Sequence, residues 1–113
     1  MNLLDKYPSV AILGGGESGV GAAILAKDRG HRVFLSDGGA LKAQYAAQLD
    51  QEGIAYEQGV HSLDRLLTAD LLIKSPGIPN TAPAVAACLE RGILVWSELE
   101  FAFHYTSSPI VAI

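Results

Sequence analysis

Apolar residues in this chain come in short runs that stop at glycines and recur with polar, helix-like stretches between them. Ser9-Val10-Ala11-Ile12-Leu13 is an apolar run with no polar alternation, the pattern of a strand buried on both faces of a parallel sheet. From about Ser18 to Arg29 the spacing changes: Val20, Ala23, Ile24 and Lys27 share one side of a helix that Gly30 is placed to end. Arg32 to Ser36 reads as a second strand. A second helix spans about Ala40 to Glu52, with Leu41, Tyr45 and Leu49 four apart and Gly53 at its C-terminal cap. Ile54 to Glu57 is a weaker strand, and Leu63, Leu66 and Leu67 make a short helix. Asp70 to Lys74 is a strong fourth strand.

Ser75-Pro76-Gly77-Ile78-Pro79 must be loop, since two prolines and a glycine break any period. Pro83 suits the first turn of a helix running to about Arg91, before Gly92 and a fifth strand at Ile93 to Val95. Ser97 and Glu100 have the spacing of a capping box, which opens a last helix. Pro109 to Ile113 reads as the opening of a sixth strand. Strand and helix alternate throughout, so the expected class is α/β and Rossmann-like: a mostly parallel sheet of about five strands with helices on both faces. Ligands of such sheets sit beyond the carboxyl ends of the strands. That directs attention to the turns after strands one, two and four.

Composition narrows the partners. The 113 residues suit one domain, and half of them are apolar. A formal charge of -4 with scattered basic residues argues against nucleic acid, while a small anion held by backbone N–H groups stays open. Cys88 is the only cysteine, which points to a reducing compartment, most simply the cytoplasm. No run approaches the ~20 apolar residues that span a bilayer, and the N-terminus has no signal-peptide pattern, so no membrane partner is expected. His31, His61 and His104 are far apart and have no zinc spacing, so no metal site is expected. His31 and His104 fall at element ends and are expected on the surface. Cys88 is expected in the core. No Ser-His-Asp set stands out. Trp96, Phe101, Phe103 and Tyr105 are expected to pack the last helix on the sheet, or in part to face further domains.

Gly14-Gly15-Gly16-Glu17-Ser18-Gly19 fits G-x-G-x-x-G, follows a strand, opens a helix and precedes an acid, Asp37, at about the dinucleotide-site distance. Gly14 allows the tight turn, Gly16 lets a phosphate approach, and Gly19 lets the helix pack on the strand. The helix N-terminus then faces a diphosphate. The Glu17 side chain should point away from that charge while its N–H donates, and the Ser18 hydroxyl should either donate to a phosphate oxygen or cap the helix. Asp37 would accept from ribose hydroxyls or a base N–H, or simply form a turn with Gly38-Gly39. Lys74 would lie near the phosphates or in solvent. These residues alone suit any diphosphate-linked nucleoside, NAD of an oxidoreductase or regulatory protein included.

Taken with Ser75-Pro76-Gly77-Ile78-Pro79, Ser97-Glu98-Leu99-Glu100-Phe101 and Pro109-Ile110-Val111-Ala112-Ile113, they make the whole chain resemble the N-terminal domain of the Mur ligase family, its D-glutamate-adding members above all. The resemblance implies that Gly14, Gly16, Glu17, Ser18 and Gly19 cradle the diphosphate of UDP-N-acetylmuramoyl-L-alanine. It implies that Asp37 and Gly38 meet the uracil or ribose, and that Ser75, Pro76 and Gly77 line the other side of the nucleoside. The family often carries a hydroxyl residue and then Arg after the acid of strand two. Gly38 and Gly39 stand there, so only backbone contacts carry over. The resemblance further implies a division into a UDP-substrate domain, 1–108, and the start of a central ATPase domain, 109–113, cut short. No glycine is followed by lysine, so the Walker loop for ATP is lacking. ATP and Mg²⁺ are therefore expected only in the full-length parent, with the central and C-terminal domains as partners, and no catalytic residue or cofactor in this stretch.

Overall fold

The computed structural model describes the backbone of residues 3–111 and the side chains of residues 3–105. A short helix, α1 (Leu3–Lys6), leads into β1 (Ser9–Leu13), α2 (Glu17–Asp28), β2 (Arg32–Asp37), α3 (Ala43–Gln51) and β3 (Ala55–Gln58). Then follow α4 (Leu63–Leu66), β4 (Leu71–Lys74), α5 (Pro83–Glu90), β5 (Leu94–Ser97) and α6 (Glu98–Val111). The five strands form one sheet in the order β3-β2-β1-β4-β5, and every pairing is parallel. The α/β, Rossmann-like class expected from the apolar pattern is the class found. The chain winds outward from β1 to β3, then returns to the other side of β1 to place β4. Two connections therefore diverge from the sheet between β1 and β4, which opens a crevice at their carboxyl ends.

Strand pleating sorts the core into two layers. Val10 and Ile12 point to one face, where they meet Val20, Ala23 and Ala26 of α2, Leu49 of α3 and Phe101 of α6. Ala11 and Leu13 point to the other, against Leu66 of α4 and Val85 and Cys88 of α5. Cys88 is fully buried, as expected. Phe101 is also fully buried, a burial of the kind that stabilises by roughly 1.5–3 kcal/mol. It anchors α6 on the sheet. Small residues on α2 let that helix lie close to β1.

Helix ends follow the expected chemistry. Gly30, Gly53 and Gly92 follow α2, α3 and α5 at φ 95°, 70° and 83°, and Pro83 opens α5. The capping box is complete: the Ser97 N–H donates to Glu100 Oε1 at 2.8 Å, and the Glu100 N–H donates to Ser97 Oγ at 3.1 Å. Helix α3 begins at Ala43, later than the spacing of Leu41 suggested. The Leu41 N–H is drawn to Gln58 Oε1 at 2.8 Å instead, which holds Leu41 in the preceding loop.

Two expectations fail. Residues 109–111 continue α6 and do not open a strand, while residues 112 and 113 lie outside the described residues. A helix extended by one residue gains its own hydrogen bond, whereas a strand end needs a paired neighbour first. His31 is not a surface residue: it is 2% exposed. Its Nδ1–H donates to the Tyr7 carbonyl at 2.7 Å, and Nε2 accepts from the Tyr105 hydroxyl. Burial pushes its pKa down, partly offset by the bond to Tyr7. Phe101 and Tyr105 of α6 pack edge-on against its ring, a long-range event that leaves no local pattern. His104 is exposed, stacked on Trp96 at 4.3 Å between ring centroids.

Candidate functional site

The crevice beyond β1 and β4 is built from the glycine turn upward. Gly14 leaves β1 at φ 105°, and its N–H donates to the Ser36 carbonyl at 2.8 Å. That φ is strained for any side chain bearing a Cβ. A Cβ at Gly19 would stand 1.9 Å from the Gly14 carbonyl oxygen, so only glycine lets α2 start this close to β1. A Cβ at Gly16 would meet nothing within 4 Å, so that face is open to an approaching group.

Gly16 is the N-cap of α2, and the first helix-type bond runs from the Val20 N–H to its carbonyl. The N–H groups of Gly16, Glu17, Ser18 and Gly19 are thus left without an acceptor inside the helix. They face one cleft at the positive end of the helix dipole. Ser18 lies inside the first turn and no side chain caps α2, so capping is not its role. Its exposed hydroxyl remains available to a ligand. Glu17 is exposed at the first position of α2.

Asp37 closes β2 and organises two turns at once. One carboxylate oxygen accepts the Gly15 N–H at 2.8 Å, the other the Gly39 N–H at 2.8 Å. It forms the turn with Gly38-Gly39 and also braces the glycine turn, so its first task is to hold the cradle's shape. Gly15 matters for a related reason: a Cβ there would meet Leu41 Cδ2 at 2.0 Å and Asp37 Oδ2 at 3.1 Å. After β4, the Ile78 N–H donates to the Ser75 carbonyl at 3.0 Å and closes a turn. Lys74 sits neither beside the cradle nor free in solvent. Its Nζ donates to the Ile78 carbonyl at 2.7 Å and fastens that loop. Ile78 and Ser75 then rest against Gly14.

A cleft of about 290 Å³ results, lined by Gly14, Gly16, Glu17, Ser18 and Gly19, by Asp37 and by Ser75. Those sequence-predicted residues are brought together. Gly38, Pro76 and Gly77 are exposed and lie outside that lining.

Gly15, inside the predicted Gly14 to Gly19 cradle, lines it as well, and two lining residues were given no role by the sequence reading: Ile78 and Glu98. Glu98 follows β5, so the rule that ligands sit at strand carboxyl ends would have found it had it been applied to the fifth strand. It is 8% exposed, and burial pushes its carboxyl pKa up. Its Oε2 stands 3.3 Å from where a Gly19 Cβ would be, so a carboxyl group faces the anion cradle.

The fold also gathers a polar set that sequence distance hides. Ser36, itself fully buried, donates to Glu57 Oε2 at 2.7 Å and lies 2.7 Å from His61 Nδ1. Glu57 further accepts the Ser62 N–H at 2.6 Å and the Ser62 hydroxyl at 2.6 Å. Burial alone would raise the Glu57 pKa. The bonds from Ser62 and Ser36 and the charge of Arg65 outweigh it and lower the pKa. The order acid, serine, histidine, with the hydroxyl out of reach, is not that of a nucleophilic triad.

A parallel α/β sheet with a glycine-rich turn opening a helix at its switch point defines a domain of the Rossmann-like class. Within that class, the model of the MurD N-terminal domain matches residues 9–83, and the chain belongs to this family. The UDP-N-acetylmuramoylalanine–D-glutamate ligase of Bacteroides fragilis is 47% identical over 104 residues, covering 92% of this chain and 23% of the relative. That of Cytophaga hutchinsonii is 49% identical over 96 residues, covering 85% and 21%. The chain thus spans under a quarter of the length of these relatives.

Among solved structures, a murein peptide ligase from Psychrobacter arcticus superposes with a TM-score of 0.77 at 24% identity, over 86% of this chain and 20% of that one. The UDP-N-acetylmuramate-alanine ligase of Thermotoga maritima gives 0.71 at 22%, over 83% and 21%. A precorrin-2 dehydrogenase gives 0.59 at 15% identity over 84% of this chain and 46% of that one, so the fold is shared with redox proteins. Family membership, not the fold, separates the two readings, and it does not favour an NAD-binding oxidoreductase domain.

Proposed function

We propose that this chain holds the uridine diphosphate end of UDP-N-acetylmuramoyl-L-alanine, as the N-terminal domain of a D-glutamate-adding ligase of peptidoglycan synthesis. The observation that carries the reading is the row of backbone N–H groups from Gly16 to Gly19, without intrahelical acceptors, opening on a cleft walled by the Asp37 turn and the Ser75 loop. Such a row binds a diphosphate without net positive charge. Gly16 leaves the approach open, Ser18 adds a hydroxyl donor, and Gly38, Pro76 and Gly77 at the rim would meet the nucleoside.

The whole enzyme, on this reading, activates the L-alanyl carboxylate with ATP and Mg²⁺ and passes it to the amine of D-glutamate to form an amide. No glycine here is followed by lysine, so this stretch lacks the Walker loop that would cradle ATP phosphates. That chemistry belongs to central and C-terminal domains of the same chain, with residues 1–108 as the UDP domain and 109–113 leading into the next. Here binding and orientation are the whole task. The single thiol, buried at Cys88, suits the cytoplasm, where ATP and nucleotide-activated precursors are at hand.

The test is a protein-observed NMR titration with UDP and, in parallel, NAD. Amide shifts confined to Gly14–Gly19, Asp37–Gly39 and Ser75–Gly77 on adding UDP are expected. A response to NAD alone would return the chain to the redox-cofactor class.

A further inference from the structure

Resting on the UDP reading, we propose that His61 is the side chain that contacts the nucleoside end of the ligand, its Nε2 accepting a hydrogen bond from a ribose hydroxyl or from the uracil N3–H. The argument begins at Gly38. Its position beside Asp37 offers no side chain to a nucleoside, yet the space is not empty. A Cβ built there would stand 3.0 Å from His61 Nε2, so the imidazole reaches across from the β3–α4 connection and occupies the place a residue-38 side chain would take.

The ring is held in one orientation. Ionised Glu57 can only accept, and it takes the single hydroxyl proton of Ser36 at 2.7 Å. The Ser36 lone pair then accepts from His61 Nδ1–H at 2.7 Å. With its hydrogen on Nδ1, the neutral ring presents a lone pair at Nε2. That atom has no partner among the described residues; the ring is half-buried, and Nε2 is left open to solvent. Tying down the connection would need only the bonds of Glu57 to Ser62, which exist without the histidine. The imidazole adds a fixed, unused acceptor at the carboxyl edge of the sheet, one residue from the cradle wall at Asp37.

The experiment is a ¹⁵N-edited histidine spectrum of this chain, recorded free, with UDP and with inorganic diphosphate, alongside backbone amides. The expected result is an Nδ1–H tautomer for His61 in the free protein and a shift of its Nε2 signal with UDP. Diphosphate should move the Gly16–Gly19 amides and leave that signal in place. Parallel titrations with 2′-deoxyuridine diphosphate and N3-methyluridine diphosphate identify the donor, since the Nε2 shift should vanish with the analogue that lacks it. His61→Ala should weaken UDP by about 3- to 10-fold, the worth of one hydrogen bond, and leave diphosphate affinity unchanged.

Cradle shifts with UDP but an unmoved Nε2 would overturn the proposal and leave the UDP reading intact. Silence of both would overturn the two together. Equal losses for UDP and diphosphate in His61→Ala would reduce His61 to a brace of the fold and also overturn the proposal.

Discussion

Two glycines on one helix, Gly19 and Gly21, should respond to the same substitution with opposite signs. In α2, alanine is favoured over glycine by about 1 kcal/mol wherever the new methyl group is free. Gly21 is exposed, and a Cβ there would meet nothing within 4 Å. Gly21→Ala should therefore stabilise by about 0.5–1 kcal/mol. At Gly19 the same methyl would lie 1.9 Å from the Gly14 carbonyl oxygen, against a floor of 3.0 Å for real contacts, so one backbone must retreat by at least 3.0 − 1.9 = 1.1 Å. Neither side yields easily. Gly14 is tied to Ser36 at 2.8 Å and Gly15 to Asp37 at 2.8 Å, while α2 is packed on the sheet.

Overpacking of this kind costs about 1–3 kcal/mol, and a backbone clash belongs at the upper end. Set against the helix gain, Gly19→Ala should lose about 1–2 kcal/mol, lowering Tm by roughly 5–10 °C in a domain of this size. Thermal and urea unfolding of both variants measures the difference. UDP affinity should fall for Gly19→Ala and hold for Gly21→Ala. A Gly19→Ala protein as stable as the parent would refute the close-approach account, as would a Gly21→Ala protein that loses as much.

Other expectations follow from single side chains at the cleft. Ser18→Ala should weaken UDP by about 0.5–1.5 kcal/mol with Tm nearly unchanged, because the hydroxyl supports nothing in the fold. Lost stability with affinity intact would assign it a structural role instead. Glu98→Gln should tighten diphosphate binding at neutral pH by about 3- to 10-fold, since it removes a buried like charge beside the anion. Burial raises the Glu98 pKa, so its contribution to stability is full below the unfolded carboxyl value and declines as pH rises through the folded one. The Gln variant should therefore gain on the parent from about pH 4.5 upward. Identical Tm profiles and identical affinities would refute this placing of Glu98.

The apolar runs, the glycines that stop them and the capping box are local signals, and they were enough for the element order from β1 to the start of α6, the parallel sheet and the glycine turn, though not for α1 or the continuation of α6 past Pro109. Strand and helix are decided by periods of two and 3.6 that a dozen residues display by themselves. Gly14, Gly16, Gly19, Asp37 and Ser75 were legible because a strand's carboxyl end is a position along the chain. Tertiary structure alone decided the rest. It gave Asp37 two backbone N–H partners, put Glu98 against Gly19, and brought Ser36, Glu57 and His61 into one hydrogen-bonded chain beside Gly38. It also set Phe101 and Tyr105 of α6 against His31, which is buried where its place at an element end suggested solvent. These contacts join residues far apart in sequence through side chains whose direction depends on how the layers pack. Periodicity says which face of an element is apolar, and only the packed sheet says what that face meets.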